Sequence, residues 1–151
     1  MGSANPGLIR PPFVHLLAIL AGCALEIWHA TQLIGVPGRI AGALGIAAGI
    51  ALTSWSKRTM DCAGTPLPGG LPTTAIVKTG PFAFSRNPVY VAFALIHAGA
   101  ALALDSVWVL GMLAPALLLI ALVVVPREER YLEGKFGGDY LAYKASVRRW
   151  V

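Results

Sequence analysis

The stretch SVWVLGMLAPALLLIALVVV, residues 106–125, contains twenty residues and no charged side chain. At 1.5 Å per residue, a helix of this length is about 30 Å long, which is the thickness of the hydrocarbon core of a bilayer. Three further apolar runs occupy residues 12–34, 38–55 and 88–104. The sequence therefore predicts an all-α, polytopic membrane protein with four transmembrane helices.

The composition also indicates a membrane protein. Hydrophobic residues make up 56% of the chain and charged residues only 13%, against about 25% charged residues in soluble domains. The mean hydropathy is +0.69. The first apolar run follows Arg10 and resembles a signal peptide, but it is long and has no clear cleavage site, so we expect it to be retained. We predict one membrane domain over residues 1–151.

The positions of lysine and arginine predict the orientation, because these residues accumulate on the cytoplasmic side of membrane helices. With four spans, Arg39 lies on one side and the other cations on the opposite side. Both termini, the loop 56–87 and the segment 126–151 are therefore predicted to be cytoplasmic, at the cell (inner) membrane. The net charge of +5 fits attraction to anionic membrane lipids and requires no nucleic-acid partner.

Glycines recur at short spacing in the second apolar run, at Gly38, Gly42, Gly45 and Gly49. Small residues at such spacing let another helix approach closely. Two alternatives follow: packing against a helix of the same chain, or a dimer face. The sequence leaves the oligomeric state open.

The two cysteines predict neither a disulfide nor a metal site. Cys23 falls inside the first apolar run and Cys62 in the cytoplasmic loop. They cannot easily meet, and the cytoplasm keeps thiols reduced.

A polar segment, KTGPFAFSRNPVY at residues 78–90, leads into the third apolar run. Proline at position 88 fits the first position of a helix, and Asn87 is a favoured cap that can accept hydrogen bonds from free N–H groups. Arg86 and Asn87 would then stand at a helix N-terminus, where anions are favoured. The segment predicts an anion-binding site at the cytoplasmic end of the helix.

A second polar segment, REER at residues 127–130, follows the last apolar run. Placing Glu128 or Glu129 at the bilayer centre would cost about 2.5 kcal/mol or more each, so both are expected at the level of the headgroups. Adjacent helical residues point about 100° apart. One glutamate is therefore expected to face a pocket and its neighbour an arginine or water.

Beyond these glutamates the sequence predicts a short helix along the membrane surface. Asp139 is its expected N-cap, and Tyr140, Tyr143 and Val147 are expected on one face. The two tyrosines have two interpretations, as anchors at the membrane interface or as contacts to a bound molecule.

These motifs, taken in order, resemble the isoprenylcysteine carboxyl methyltransferase and phospholipid methyltransferase superfamily of membrane enzymes. The resemblance covers residues 64–151 and is carried by the runs TGPFxFSRNPVY, REERYL, FG, YxxY and VRRW. It implies that the C-terminal half encloses S-adenosylmethionine without a soluble-type nucleotide fold. It also implies methyl transfer to a lipophilic or amphiphilic acceptor taken from the bilayer at the cytoplasmic face.

The resemblance also implies roles for individual residues. The run Arg-Asn-Pro-x-Tyr at residues 86–90 matches the superfamily's Arg-His-Pro-x-Tyr signature, and residues 128–129 match its Glu-Glu signature. Arg86 and Glu129 are the implied catalytic residues. The resemblance implies that Arg86, Asn87, Pro88, Tyr90, Glu128 and Glu129 contact the cofactor. Further candidate cofactor-binding residues are Lys78, Thr79, Gly80, His97, Tyr140 and Tyr143, of which the first three could instead be only loop and turn residues.

Two departures from the superfamily pattern bear on the acceptor. Asn87 stands where relatives often have histidine, so proton transfer at this position is not expected. The Gly-x-Gly element of the phospholipid enzymes is reduced to Gly99. An amine must lose a proton before methylation and a carboxylate need not. We therefore interpret the chain first as an isoprenylcysteine-type carboxyl methyltransferase, with phospholipid N-methylation as the alternative.

Structural alternatives accompany these assignments. The two glutamates could form only surface ion pairs, worth about 0–1 kcal/mol each. Arg86 could serve only to set the topology, and Tyr90 and His97, seven residues apart, could be ordinary helix packing.

A rival function rests on Glu26 and His29, which lie three residues apart in the first apolar run. Ionisable residues inside a membrane are candidates for function. In a four-helix protein they fit a small proton-coupled multidrug exporter, and a non-catalytic membrane scaffold is a further alternative.

Overall fold

The computed structural model describes residues 10–67 and 72–151. These residues form six α-helices, α1 (Pro11–Trp28), α2 (Val36–Cys62), α3 (Pro88–Ala103), α4 (Val107–Leu119), α5 (Val125–Phe136) and α6 (Gly138–Ser146). A short 3₁₀ turn, Gly80–Ala83, precedes α3, and a wider π-helical turn, Ile120–Val124, joins α4 to α5. No strand occurs in the described residues, and the predicted all-α class is confirmed.

Within residues 10–67 and 72–151, three helical stretches are long and apolar enough to cross a membrane: α1, α2 and the continuous stretch Val107–Phe136. The helix α3 is apolar but has only 16 residues, a length of about 24 Å at 1.5 Å per residue. The structure therefore supports an integral membrane protein. The count of four full crossings stays a prediction.

The ends of two predicted spans differ from the observed helices. α1 ends at Trp28, whereas the apolar run continues to residue 34. α2 continues through Cys62, seven residues beyond the predicted span 38–55. Its last turns are polar but helical: Ser56 Oγ donates to the Leu52 carbonyl, and Lys57 pairs with Asp61 one turn further on. Hydropathy marks where a helix leaves the apolar layer, not where it ends.

The glycines of α2 pack directly on α3. A Cβ atom built on Gly42 would lie 2.5 Å from the carbonyl oxygen of Gly99, and one built on Gly49 would lie 2.7 Å from the carbonyl oxygen of Ala92. Real Cβ atoms do not come so close to a backbone oxygen. The missing side chains thus set the spacing between the two helices.

Of the remaining two glycines, Gly45 also faces α3, since its built Cβ would lie 3.4 Å from the Gly99 Cα, whereas Gly38 contacts Ile34. The structure therefore supports packing within the chain, one of the two alternatives for these glycines. A dimer through the same face would have to displace α3.

Two acidic side chains link the connections at the end of the bundle where α1 and α3 end and α2 and α4 begin. Glu26 accepts hydrogen bonds from the Thr31 hydroxyl, at 3.0 and 2.9 Å, and from the hydroxyl of Ser106 at the start of α4. Asp105 Oδ1 accepts from the backbone N–H groups of residues 33–35 at 2.8–3.0 Å. Both carboxylates tie the α1–α2 connection to the α3–α4 turn.

These contacts give Glu26 a structural function. The side chain of His29 is exposed, and the residue takes part through its carbonyl oxygen, which accepts from Trp108 Nε1 at 2.9 Å. The structure thus offers no pairing of Glu26 with His29 of the kind that the exporter interpretation would use.

Candidate active site

A cleft opens at the end of the bundle where α3 begins, between α3, α5, α6 and the segment before α3. Its empty space, including the open mouth, is about 640 Å³. The wall is largely apolar and includes Met60, Val77, Phe82 and Leu132. Eight predicted site residues also line it: Arg86, Asn87, Pro88, Tyr90, Glu128, Glu129, Tyr140 and Tyr143. The fold thus brings the two polar segments of the sequence together in one cleft.

Glu129 is the centre of a buried ion-pair cluster. The residue is only 6% exposed. Arg149 binds it with a two-pronged contact, Nε to Oε1 at 3.0 Å and Nη2 to Oε2 at 2.8 Å. Arg86 Nη1 lies 3.2 Å from Oε1, and Lys144 Nζ lies 3.8 Å from Oε2. The cations offset the cost of burying this carboxylate.

Arg86 has hydrogen-bonding capacity left over. Its side chain is 9% exposed, and its backbone N–H donates to the Arg148 carbonyl at 2.9 Å. Among the described residues, its Nε atom meets no hydrogen-bond acceptor, and Nη1 makes only the ion pair with Glu129. A buried donor without a partner costs about 1–3 kcal/mol. An anion in the cleft would remove that cost.

Glu128 has a different partner from its neighbour. The Tyr90 hydroxyl donates to Glu128 Oε2 at 2.5 Å, and the Tyr90 ring packs with Ile120, Val124 and Val125. As expected for adjacent helical residues, the two glutamates have different partners. Only one of them was expected to face a pocket, whereas both line the cleft.

Asn87 occupies the N-cap position of α3 but does not cap the helix, so the predicted side-chain cap is wrong. Its Nδ2 group donates to the Arg149 carbonyl at 2.9 Å, and its backbone N–H donates to Ser85 Oγ at 3.1 Å. The amide has found a partner far along the chain, which local propensity could not indicate. Pro88 is the first residue of α3, as predicted.

The two tyrosines of α6 are buried in the wall of the cleft. Tyr140 is 3% and Tyr143 5% exposed, and the Tyr143 hydroxyl donates to the Phe82 carbonyl at 2.8 Å. Of their two interpretations, this placement fits contact with a bound molecule better than anchoring in lipid. The predicted cap was wrong: Gly137, with φ +54°, is the N-cap, and Asp139 lies in the first turn.

Burial, and to a lesser extent the nearby carboxylate of Glu129, together raise the pKa of Tyr140 to about 12. The usual pKa of tyrosine is about 10. The pKa of Tyr140 is higher in the folded than in the unfolded chain. The contribution of Tyr140 to stability is therefore complete below about pH 10 and is lost as the pH rises towards 12. We expect Tyr140 to stay protonated at about pH 11. Tyrosinate absorbance of the wild type and of Tyr140→Phe should differ only above that pH, and a difference that develops around pH 10 would contradict this.

His97 was predicted to contact the cofactor, but the structure does not place it among the residues that line the cleft. It is fully buried between helices, with Nδ1 3.0 Å from His15 Nδ1 and Nε2 3.0 Å from the Val109 carbonyl oxygen. Seven residues are two helical turns, about 10 Å along the axis from Tyr90. His97 shares a helix face with Tyr90 but lies too deep in the bundle to line the cleft.

The start of the first polar segment also lies outside the cleft. Thr79 and Gly80 line a separate shallow depression beside Arg58 and Cys62. Lys78 is exposed. The structure therefore does not bring these three predicted cofactor-binding residues to the other eight.

Sequence reasoning missed Lys144 and Arg149, which stand beside Glu129. The final VRRW motif was part of the resemblance, but its arginines were used only to predict topology. The two arginines differ because the backbone past α6 is extended at Val147, a conformation that only the structure shows. Successive side chains of an extended segment point to opposite sides, so only one of the two arginines, Arg149, reaches Glu129.

A family model described as phospholipid methyltransferase matches residues 38–139, which is 102 of 151 residues. The chain belongs to the phospholipid methyltransferase family. The match to this family confirms the resemblance to the superfamily of membrane methyltransferases that includes it.

One curated relative is an uncharacterised protein of Haemophilus influenzae, 51% identical over 35 residues. The match covers 23% of this phospholipid methyltransferase family chain and 56% of the length of that relative. No solved structure gives a significant match.

Proposed function

We propose that the chain is an integral membrane enzyme that transfers the methyl group of S-adenosylmethionine to a lipophilic or amphiphilic acceptor. One observation carries the proposal. One cleft at the end of the apolar helices is lined by Arg86, which is buried and has donors without acceptors, by the carboxylate of Glu128 and by aromatic side chains. Membership of the phospholipid methyltransferase family supports methyl transfer as the chemistry.

The residues of the cleft fit the parts of this cofactor. Arg86 offers N–H donors to the carboxylate of its amino-acid portion. Glu128 uses Oε2 for Tyr90, and its other carboxylate oxygen can accept from ribose hydroxyls or the ammonium group. Phe82 and Leu132 supply apolar surface for adenine. The two glutamates thus have different functions: Glu128 binds the cofactor, and Glu129 pairs with Arg86 and Arg149.

S-adenosylmethionine supplies an electrophilic methyl group, which the nucleophilic atom of the acceptor takes by in-line displacement with sulfur as the leaving group. The main demand of this reaction is alignment in a water-poor site. The ion pairs of Glu129 with Arg86 and Arg149 hold the Arg86 side chain in a fixed position beside the cleft, where it can orient the cofactor. Asn87 has no titratable group and donates to a carbonyl, so it orients backbone and moves no proton.

The acceptor is proposed to be a carboxylate, as in isoprenylcysteine carboxyl methylation, because an ionised acid needs no base. The alternative is a phospholipid amine, and the description of the matching family favours it. Access from the bilayer between helices suits either acceptor. We further propose that the cleft and both termini face the cytoplasm of the cell membrane, on the basis of the lysine and arginine distribution.

Calorimetric titration of the purified protein with S-adenosylmethionine and S-adenosylhomocysteine tests the proposal. Binding with one site per chain is the expected result, and Glu128→Gln should weaken it. Asp61→Asn is a suitable control, because Asp61 is exposed and pairs only with Lys57 among the described residues. Folded protein that binds neither compound would overturn the proposal.

Transfer of a labelled methyl group then separates the two acceptors. Vesicles containing phosphatidylethanolamine offer the amine, and a farnesylated cysteine analogue offers the carboxylate. Labelling of the analogue alone supports carboxyl methylation, and labelling of the lipid alone replaces it with the alternative.

A further inference from the structure

The segment 147–151 runs beside the start of α3 and is held there by its backbone. The Arg148 carbonyl accepts from the Arg86 N–H at 2.9 Å, and the Arg149 carbonyl accepts from Asn87 Nδ2 at 2.9 Å. Trp150 packs against the buried cluster around Tyr90. The segment is therefore fixed on both sides of Arg149.

From this fixed position the Arg149 side chain reaches into the ion-pair cluster. It engages both oxygens of Glu129 at 2.8–3.0 Å, the geometry in which the guanidinium fork binds a carboxylate most strongly. Its side chain is 40% exposed, whereas that of Glu129 is 8% exposed. Arg149 thus closes the cluster from the solvent side.

The contact between Arg149 and Glu129 determines which hydrogen-bond donors of Arg86 remain without an acceptor. With the fork of Arg149 on both oxygens, Glu129 meets Arg86 only through Nη1 at 3.2 Å, and Arg86 Nε stays without an acceptor among the described residues. If Arg149 were removed, Glu129 would be free to turn both oxygens toward Arg86. The Arg86 donors that now lack a hydrogen-bond acceptor would then be used inside the protein.

We propose that Arg149 is a positioning residue that occupies Glu129 and so keeps the donors of Arg86 available to an anionic group of the bound molecule. The inference rests on the proposed function, because it names the residue that prepares the proposed cofactor site. It assigns a part in that site to the segment 147–151, beyond the two polar segments that the sequence singles out.

The first test compares two adjacent arginines. Arg149→Gln should raise the Kd for S-adenosylhomocysteine about tenfold or more, the range expected when a buried charged hydrogen bond is lost. Arg148→Gln is the matched control, because its side chain is exposed and only its carbonyl takes part. Arg149→Lys keeps the charge but not the fork, so it should give an intermediate Kd.

The second test separates positioning from a structural role of the segment. If Arg149 acts by occupying Glu129, then adding Arg149→Gln to Glu129→Gln should change the Kd far less than it does in the wild type. An anchor of the segment alone would produce the same fold-change in both backgrounds, and that result would overturn the inference. Unchanged binding by Arg149→Gln would overturn it as well. Failure of the folded wild type to bind would instead overturn the proposed function, and this inference with it.

Discussion

Replacing Gly42 by alanine should destabilise the protein by about 3 kcal/mol or more, at the upper end of the range for overpacking a core. The new methyl carbon would lie 2.4 Å from the Ala103 amide nitrogen and 2.5 Å from the Gly99 carbonyl oxygen. Both are backbone atoms of α3, so no rotamer change relieves the contact. The helices must separate, and the packing along their whole length weakens. Thermal unfolding in detergent, followed by circular dichroism, measures the loss.

Two other glycines provide controls for this result. Gly111 in α4 has no described atom within 4 Å of a built Cβ, so Gly111→Ala should be neutral or slightly stabilising, because alanine favours a helix. Gly45→Ala places its methyl 3.4 Å from the Gly99 Cα and should have a small effect. If Gly42→Ala proved as stable as Gly111→Ala, the close contact between α2 and α3 would be wrong.

Replacing Arg86 by alanine should raise the Kd for S-adenosylhomocysteine about a hundredfold, the upper range for losing hydrogen bonds to a charged group. The reason is specific to one part of the ligand, since the free donors of Arg86 are assigned to the carboxylate. Methylthioadenosine lacks the amino-acid portion that carries this carboxylate. Its Kd should therefore change little between the wild type and Arg86→Ala. Calorimetry with both compounds measures the contrast.

Arg58→Ala is the control for removal of a positive charge. Arg58 is an exposed cation near the end of α2 and lines the separate depression, outside the cleft. Its removal should leave the Kd values for both compounds unchanged. An equal loss of affinity for both compounds in Arg86→Ala would show that Arg86 supports the shape of the cleft and does not bind the carboxylate.

The helices could be predicted because hydropathy and helix length are local properties of the sequence. The runs 38–55 and 88–104 correspond to α2 and α3, although the polar end of α2 was missed because a helix can continue into water. The meeting of Arg86 with Glu129 could also be foreseen, since both segments were assigned to one end of the bundle.

The partners of individual side chains could not be predicted, because they depend on contacts between distant parts of the chain. The amide of Asn87 is 62 positions from the carbonyl that it binds. Arg149 is 20 positions from Glu129, on a segment whose path depends on α6. His97 shares a helix face with Tyr90 but does not line the cleft, because the face of a residue does not indicate where along a helix a cleft lies.

The π-helical turn Ile120–Val124 accommodates one more residue per turn than the helices that it joins. An additional residue rotates all later side chains by about 100° around the helix axis. The turn therefore rotates the side chains of α5 by about 100° from the direction that an unbroken α-helix would give them. Without this turn, Glu128 and Glu129 would point about 100° away from their present direction, and the ion-pair cluster around Glu129 could not form as observed.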